Sequence, residues 1–267
     1  MKKYLAIFRI RFINSLQYRA AALAGMATQF AWGFMEILAF LAFYKADPAA
    51  FPMEFSQTVS YIWMQQAFLA LFMVWFFEAE IFNAITSGGI AYELARPVDL
   101  YWRWFSQSVA NRLAKTVLRC LPILIIAMLV PEPFRMSLPA THGQFLLFLV
   151  SAAFSLGVVI SFSMLIYIST FYTLSCTGVR IISAVLADFL AGAIIPLPFF
   201  PQPFRAIAEM LPFAAMQNMP LRIYSGNIAG INAFWGIGLQ VFWLIALILI
   251  GRYMINNALR KVVVQGG

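Results

Sequence analysis

The sequence is poor in the groups that chemistry in water depends on. Only 10% of its 267 residues are charged, where about 25% is usual for a soluble domain. It has one histidine, His142, and two cysteines, Cys120 and Cys176. That set does not make a zinc site, and two cysteines do not build a disulfide framework. Gly-x-Ser-x-Gly, His-Glu-x-x-His and the Gly-x-x-x-x-Gly-Lys-Ser/Thr phosphate loop are all missing, so the chain by itself is not expected to hydrolyse ATP. No two carboxylates stand at helical spacing in an apolar run; Glu78 and Glu80 are two apart and point to different faces. The expectation is therefore no catalytic residue, no metal site and no cofactor in this chain. Fixed-period repeats and low-complexity tracts are also absent.

What is present is apolar. The apolar set makes up 63% of the residues, and the mean hydropathy is +0.85. A soluble surface cannot be covered from such a composition, and 27 Phe, 7 Trp and 10 Tyr exclude a solvated coil. An all-α integral membrane protein is the class that remains. A crossing takes about 20 residues, and six runs qualify: 21–44, 58–77, 116–130, 145–172, 179–195 and 231–250. The runs and their connections leave no stretch long enough for an attached soluble domain, so 1–267 reads as one transmembrane domain.

The first twenty residues hold Lys2, Lys3, Arg9, Arg11 and Arg19, and the two inner arginines interrupt any signal-peptide core. Leu5, Phe8, Phe12 and Leu16 recur at helical spacing, which predicts an amphipathic interfacial helix over 1–20. With both termini cytoplasmic, fourteen of the 18 basic residues fall on inner segments and four on outer ones. The positive-inside rule gives that orientation. It also accounts for the net charge of +8, so no nucleic-acid partner is called for.

Two acids lie at membrane depth. Glu36 stands about 25 Å from the inner end of the first run and Asp188 about 12 Å beyond Arg180, at 1.5 Å per helical residue. An ionised carboxylate there costs at least about 2.5–3.5 kcal/mol, so each must be protonated, hydrogen-bonded or facing a wet cavity. Each has two readings, a cavity-lining or gating group and a structural bond between helices. Ala153, Gly157 and Ser161, four apart, read as close helix packing.

Two connections stand out. Segment 78–115 contains SGGIAYELARPVDLYWRWF, in which a short helix is expected over 90–95, preceded by Gly88-Gly89 and stopped by Pro97. It reads either as an element that passes force from a soluble partner or as an ordinary interfacial loop. Segment 196–230 opens on Pro196, Pro198, Pro201 and Pro203. Phe204, Ile207 and Leu211 then form one face of a short helix ended by Pro212, with Arg205 and Glu209 paired on another. So apolar a connection is expected to dip back into the outer leaflet.

In this order within a six-span chain, these stretches resemble the permease subunits of ABC-type exporters in the ABC type-2 superfamily. The features that carry the resemblance are the basic N-terminus, SGGIAYELARPVDLYWRWF, and GAIIPLPFFPQPFRAIAEMLPFAAM running into QNMPLRIYSGN. The resemblance implies a dimer of permeases, identical or related, in lipid, each contacting one of two ATPase subunits that bind ATP and Mg. It places Gly88, Gly89, Glu93, Leu94, Arg96 and Pro97 in or beside the coupling element. It also makes the outer stretch, with Pro201, Phe204, Pro212 and Phe213, the short re-entrant helices that close the pathway. The implied setting is the bacterial cytoplasmic membrane. The competing reading is an ion-coupled secondary transporter using Asp188 or Glu36.

Overall fold

The computed structural model describes residues 2–17, 19–173 and 175–260, all helix and connection with no strand among them. Residues 261–267 of the expected inner tail, and Met1 and Tyr18 of the expected N-terminal helix, lie outside the described residues. Twelve α-helices follow one another in this part of the chain.

α1 (Lys2–Ser15) lies along the first half of α7 (Leu100–Leu129). Its packed side carries Tyr4, Phe8 and Phe12, the two phenylalanine rings stacked at 5.6 Å. Leu5, expected on that face, is 68% exposed instead. The register is set by polar contacts that hydropathy does not register. Lys3 donates to Pro97 O at 2.9 Å, Arg11 pairs with Glu80 at 2.6 Å, and Ser15 donates to Asn111 at 2.8 Å.

Among the described residues, three helices are long and apolar enough to cross a membrane. These are Gly25–Ala46 within α2 (Arg19–Ala46), α8 (His142–Ser169) and α12 (Ile231–Leu259). The other three apolar runs take different forms. Run 58–77 becomes α3 (Phe55–Ala67) and α4 (Leu69–Phe72), broken at Phe68 and ending five residues early. The early end is held by Arg112 of α7, which is buried and donates to the carbonyls of Ala70, Met73 and Phe76 at 3.1, 2.7 and 3.1 Å. Ala70 O is a carbonyl that the helix end leaves without an intrahelical partner, and Met73 O and Phe76 O belong to the cap and connection that follow it. Run 116–130 is the C-terminal half of α7, whose start is capped by Asp99 accepting from Trp102 N at 3.1 Å. Run 179–195 becomes α9 (Thr177–Leu190), 14 residues long. At 1.5 Å per residue that is about 21 Å, short of a hydrocarbon core of about 30 Å.

α9 stops because Gly192 takes φ +77°, a conformation that ends helices and that side chains resist. A Cβ there would stand 3.1 Å from both Leu197 N and the Tyr61 hydroxyl. Beyond it α10 (Phe204–Met210) packs on the short helical turn at Leu197–Phe199, and α11 (Asn218–Tyr224) packs against α8 and α3. Leu211, expected on the α10 face, caps its end instead.

α8 and α12 form the most extensive helix pair. The expected close approach is there: a Cβ at Gly157 would stand 2.9 Å from a methyl of Leu244. Gln240, fully buried, ties the pair to the chain before α11. It donates to Ser151 O at 3.1 Å and Ala215 O at 2.9 Å, and accepts from Ser151 Oγ at 2.9 Å. The outward faces of α2, α9 and α12 are apolar, with Trp32, Ile182 and Trp235 each more than half exposed. A surface of that kind belongs in lipid or against another protein.

Candidate functional site

The first site is the turn and short helix before α7. α5 (Ala79–Thr86) ends at Ser87, Gly88 takes φ +77° to reverse the chain, and α6 (Ile90–Leu94) follows. Five residues do not make a helix that stands alone, and α6 is held from outside itself. Ile90 is buried, and Glu93 faces inward onto α7. The Glu93 carboxylate accepts from Arg103 Nη2 at 2.7 Å and from the Trp104 indole at 3.3 Å, with Arg103 Nη1 in ion-pair contact at 2.6 Å. A two-point pair with guanidinium fixes orientation as well as position. Of the residues expected in the coupling element, Glu93 is thus an anchor, while Leu94, Gly88, Arg96 and Pro97 are exposed and Gly89 is half-buried. Tyr92, not singled out in the sequence, is 80% exposed, against 41% for Leu94. Asp99, next along the chain, pairs with Arg252 near the end of α12, and its N–H donates to the Tyr4 hydroxyl at 3.2 Å.

A cavity of about 420 Å³ is the second site. It brings together Glu36 of α2 and Asp188 of α9, along with Gln29, Gln65 and Arg119. The carboxylate of Glu36 has the Gln65 amide at 3.5 Å from Oε2, and among the described residues its Oε1 has no hydrogen-bond partner. Gln29 donates to Gln66 O at 3.0 Å, leaving its own Oε1 without a donor. Arg119 lies across Gly25, where a Cβ would stand 2.9 Å from the guanidinium carbon, and its Nε is also unpartnered among the described residues.

The cavity wall is tied to the break after α9 by a buried polar network. Gln65 donates to Ala193 O at 2.9 Å and accepts from Gln217 at 3.1 Å. Tyr61 and Gln217 both donate to Gly192 O, at 3.1 and 3.3 Å. The carbonyls freed where α9 stops are thereby satisfied by α3 and by the lead-in to α11, as buried backbone requires. Gln65 and Gln217 are not picked out from the sequence for such a role, and Tyr61, whose place near the end of the second apolar run marks it as an interfacial aromatic, is buried instead. Tyr61, Gln65 and Gln217 are single polar residues in apolar surroundings, and nothing periodic marks them.

Around α10 and α11 lies the third site. The expected Arg205–Glu209 pair forms at 2.9 Å, and Glu209 also takes Arg222 at 2.5 Å. Burial lowers the Arg222 guanidinium from its ordinary value and Glu209 opposes that shift. Arg222 further donates to Asn227 at 2.7 Å. Phe204 packs on Phe200 at 5.3 Å and Phe213 on Phe162 at 5.3 Å, whereas Pro201 and Pro212 flank α10 on either side. Among the described residues no cluster of His, Cys, Asp and Glu could hold a metal ion.

No curated protein matches the chain. A family match, in contrast, runs from residue 30 to residue 266, and that family is described as ABC-2 family transporter protein. The match takes in α2 from residue 30 onward and α3 through α12, covering the sites except for Gly25, Thr28 and Gln29 of the cavity, and with its long apolar helices it places the protein in a membrane. The chain belongs to the ABC-2 transporter membrane family, the permease components of ABC transporters, which normally work with an ABC ATPase.

Proposed function

We propose that the chain is one permease domain over 1–267, crossing the bacterial cytoplasmic membrane six times with both termini inside. It pairs with a second permease, identical or related, and each half contacts one of two ATPase subunits that bind ATP and Mg. The complex exports its substrate. α6 is the coupling element, α1 lies at the inner interface, and α10 with α11 forms the outer re-entrant closure.

The observation that carries this reading is α6 itself. A five-residue helix is clamped by Glu93 on Arg103 while Tyr92 and Leu94 are left bare. Exposed apolar groups on a rigidly held element suit a docking surface better than a loose loop. Because Glu93 transmits to α7 and Asp99 joins α12, a push on α6 reaches two long helices. ATP binding in the partner then needs only to favour one packing of those helices over another.

The contacts also sort by expected side. Arg11–Glu80, Lys3–Pro97 and Arg252–Asp99 join segments assigned to the inside. Trp63–Phe134, Gln144–Ile223 and Arg222–Glu209 join segments assigned to the outside. In this arrangement the short α9 completes its crossing through the turn at Gly192 and the segment that follows it.

Leu94→Asp tests the placement. The variant is expected to insert and fold as the native chain does, and to recover at least tenfold less ATPase in a pull-down from native membranes. Unchanged recovery would refute α6 as the contact. Export is tested by ATP-dependent uptake into inverted vesicles.

A further inference from the structure

The cavity beside Glu36 has a chemical preference that the family match does not supply. Its charged lining consists of two carboxylates, Glu36 and Asp188, and one guanidinium, Arg119. With all three ionised it carries one negative charge in excess. The charges are also separated along the cavity. Arg119 lies against Gly25, and Glu36 is eleven residues further along α2, about 16 Å at 1.5 Å per residue.

The polar atoms lacking partners near the acids are acceptors. Gln29 is 5% exposed, and among the described residues its Oε1 receives no hydrogen bond; Glu36 Oε1 is buried and likewise receives none from them. Two of the neighbouring amides are already committed, Gln29 Nε2 to Gln66 O and Gln65 Nε2 to Ala193 O, and the Gln66 side chain lies beside the Glu36 carboxylate. Buried acceptors without donors are costly, by about 1–3 kcal/mol each. A bound group that brings N–H donors and one positive charge relieves both deficits together. Thr28, Gln65 and Gln66 add to the polar lining, and the apolar and aromatic part includes Trp32, Leu69, Met73 and Trp75. An indole face attracts a cation, and a volume of about 420 Å³ suits a molecule of drug size.

We infer that this cavity binds a protonated organic amine with an apolar body. The N–H groups of its ammonium bond to Glu36 Oε1 and Gln29 Oε1, with Asp188 as the second countercharge. Its apolar part lies against Trp32, Leu69, Met73 and Trp75. Arg119 repels the ammonium from the far end and so sets the direction of entry. A quaternary ammonium balances the charge but brings no N–H, leaving both acceptors unpaired, and an uncharged analogue leaves the carboxylates unbalanced. The inference deepens the transport reading by naming a substrate class, and it rests on that reading for the idea that the bound amine is cargo.

Binding is measured on the full chain in nanodiscs of zwitterionic lipid at pH 7, without ATPase. The probe is radiolabelled propranolol, a secondary amine with a naphthyl body. Competitors are its N-methylated quaternary derivative and an uncharged analogue in which an ether oxygen replaces the amine. Saturable binding is expected in the native chain, with both competitors at least tenfold weaker than unlabelled propranolol. Glu36→Gln and Asp188→Asn should each weaken binding at least tenfold, while Arg119→Met should not weaken it. Absence of saturable binding to the native chain overturns the inference. So does equal competition by the quaternary derivative, or unchanged affinity in both acid variants. If a variant fails to fold by circular dichroism, the competitor series on the native chain decides alone. The permease reading is scored separately by ATPase recovery. A chain that recovers ATPase but binds no amine refutes only the ligand, and one that binds amine but recovers no ATPase refutes only the coupling.

Discussion

Gln65→Leu is the substitution that tests the buried network most directly. The replacement is close in volume and apolar, so it removes hydrogen bonds with little change in packing. Gln65 makes two strong ones, to Ala193 O at 2.9 Å and from Gln217 at 3.1 Å. Its contact with Glu36 at 3.5 Å adds little. Hydrogen bonds between helices in membranes average about 0.6 kcal/mol and reach about 1.7. Two of them, together with the orphaning of Ala193 O in a buried turn, give an expected loss of about 2 kcal/mol. The assay is reversible unfolding in mixed SDS micelles, read by circular dichroism. A double-mutant cycle with Gln217→Leu isolates the shared bond, because Gln217 keeps Gly192 O as a second partner at 3.3 Å. The expected coupling is about 0.5–1 kcal/mol, as for residues in direct contact. Additivity of the two substitutions to within about 0.3 kcal/mol would refute the network as drawn.

Gly192→Ala should cost about 2–4 kcal/mol, from left-handed φ and from contacts at 3.1 Å with Leu197 N and the Tyr61 hydroxyl; the same unfolding assay reads it, and a loss below 1 kcal/mol would count against the turn. Removing the clamp on α6 by Arg103→Met should raise amide exchange over residues 90–94 at least tenfold, since Glu93 and Ile90 are what hold so short a helix. Exchange equal to the native rate would mean that the clamp is not needed. At Gly157 the sign depends on size. Ala meets only the flexible end of Leu244, at 2.9 Å, and should change stability little, while Leu should cost about 1–3 kcal/mol by overpacking the α8–α12 contact.

Composition and hydropathy alone were enough to establish a helical membrane chain, because burial in lipid is decided by averages over about twenty residues. Three runs became long apolar helices, two of them within a few residues of their expected bounds and the last running nine residues past its expected end to Leu259, and the short helix after Gly88-Gly89 formed because its breakers are local. Arg205 and Glu209 paired as expected, since four residues of helix bring them together without help from the rest of the fold. What the tertiary structure alone decided depends on partners distant in sequence. Arg112 ends the second apolar run early, a break after α9 is held by Tyr61, Gln65 and Gln217, and Glu93 turns inward to a residue ten positions away. The meeting of Glu36 and Asp188 in one cavity is of the same kind, for they are brought together by helices from opposite halves of the chain. A lone polar residue in an apolar run has no periodicity to read, and its role is settled only when a distant carbonyl or charge is brought within about 3 Å of it.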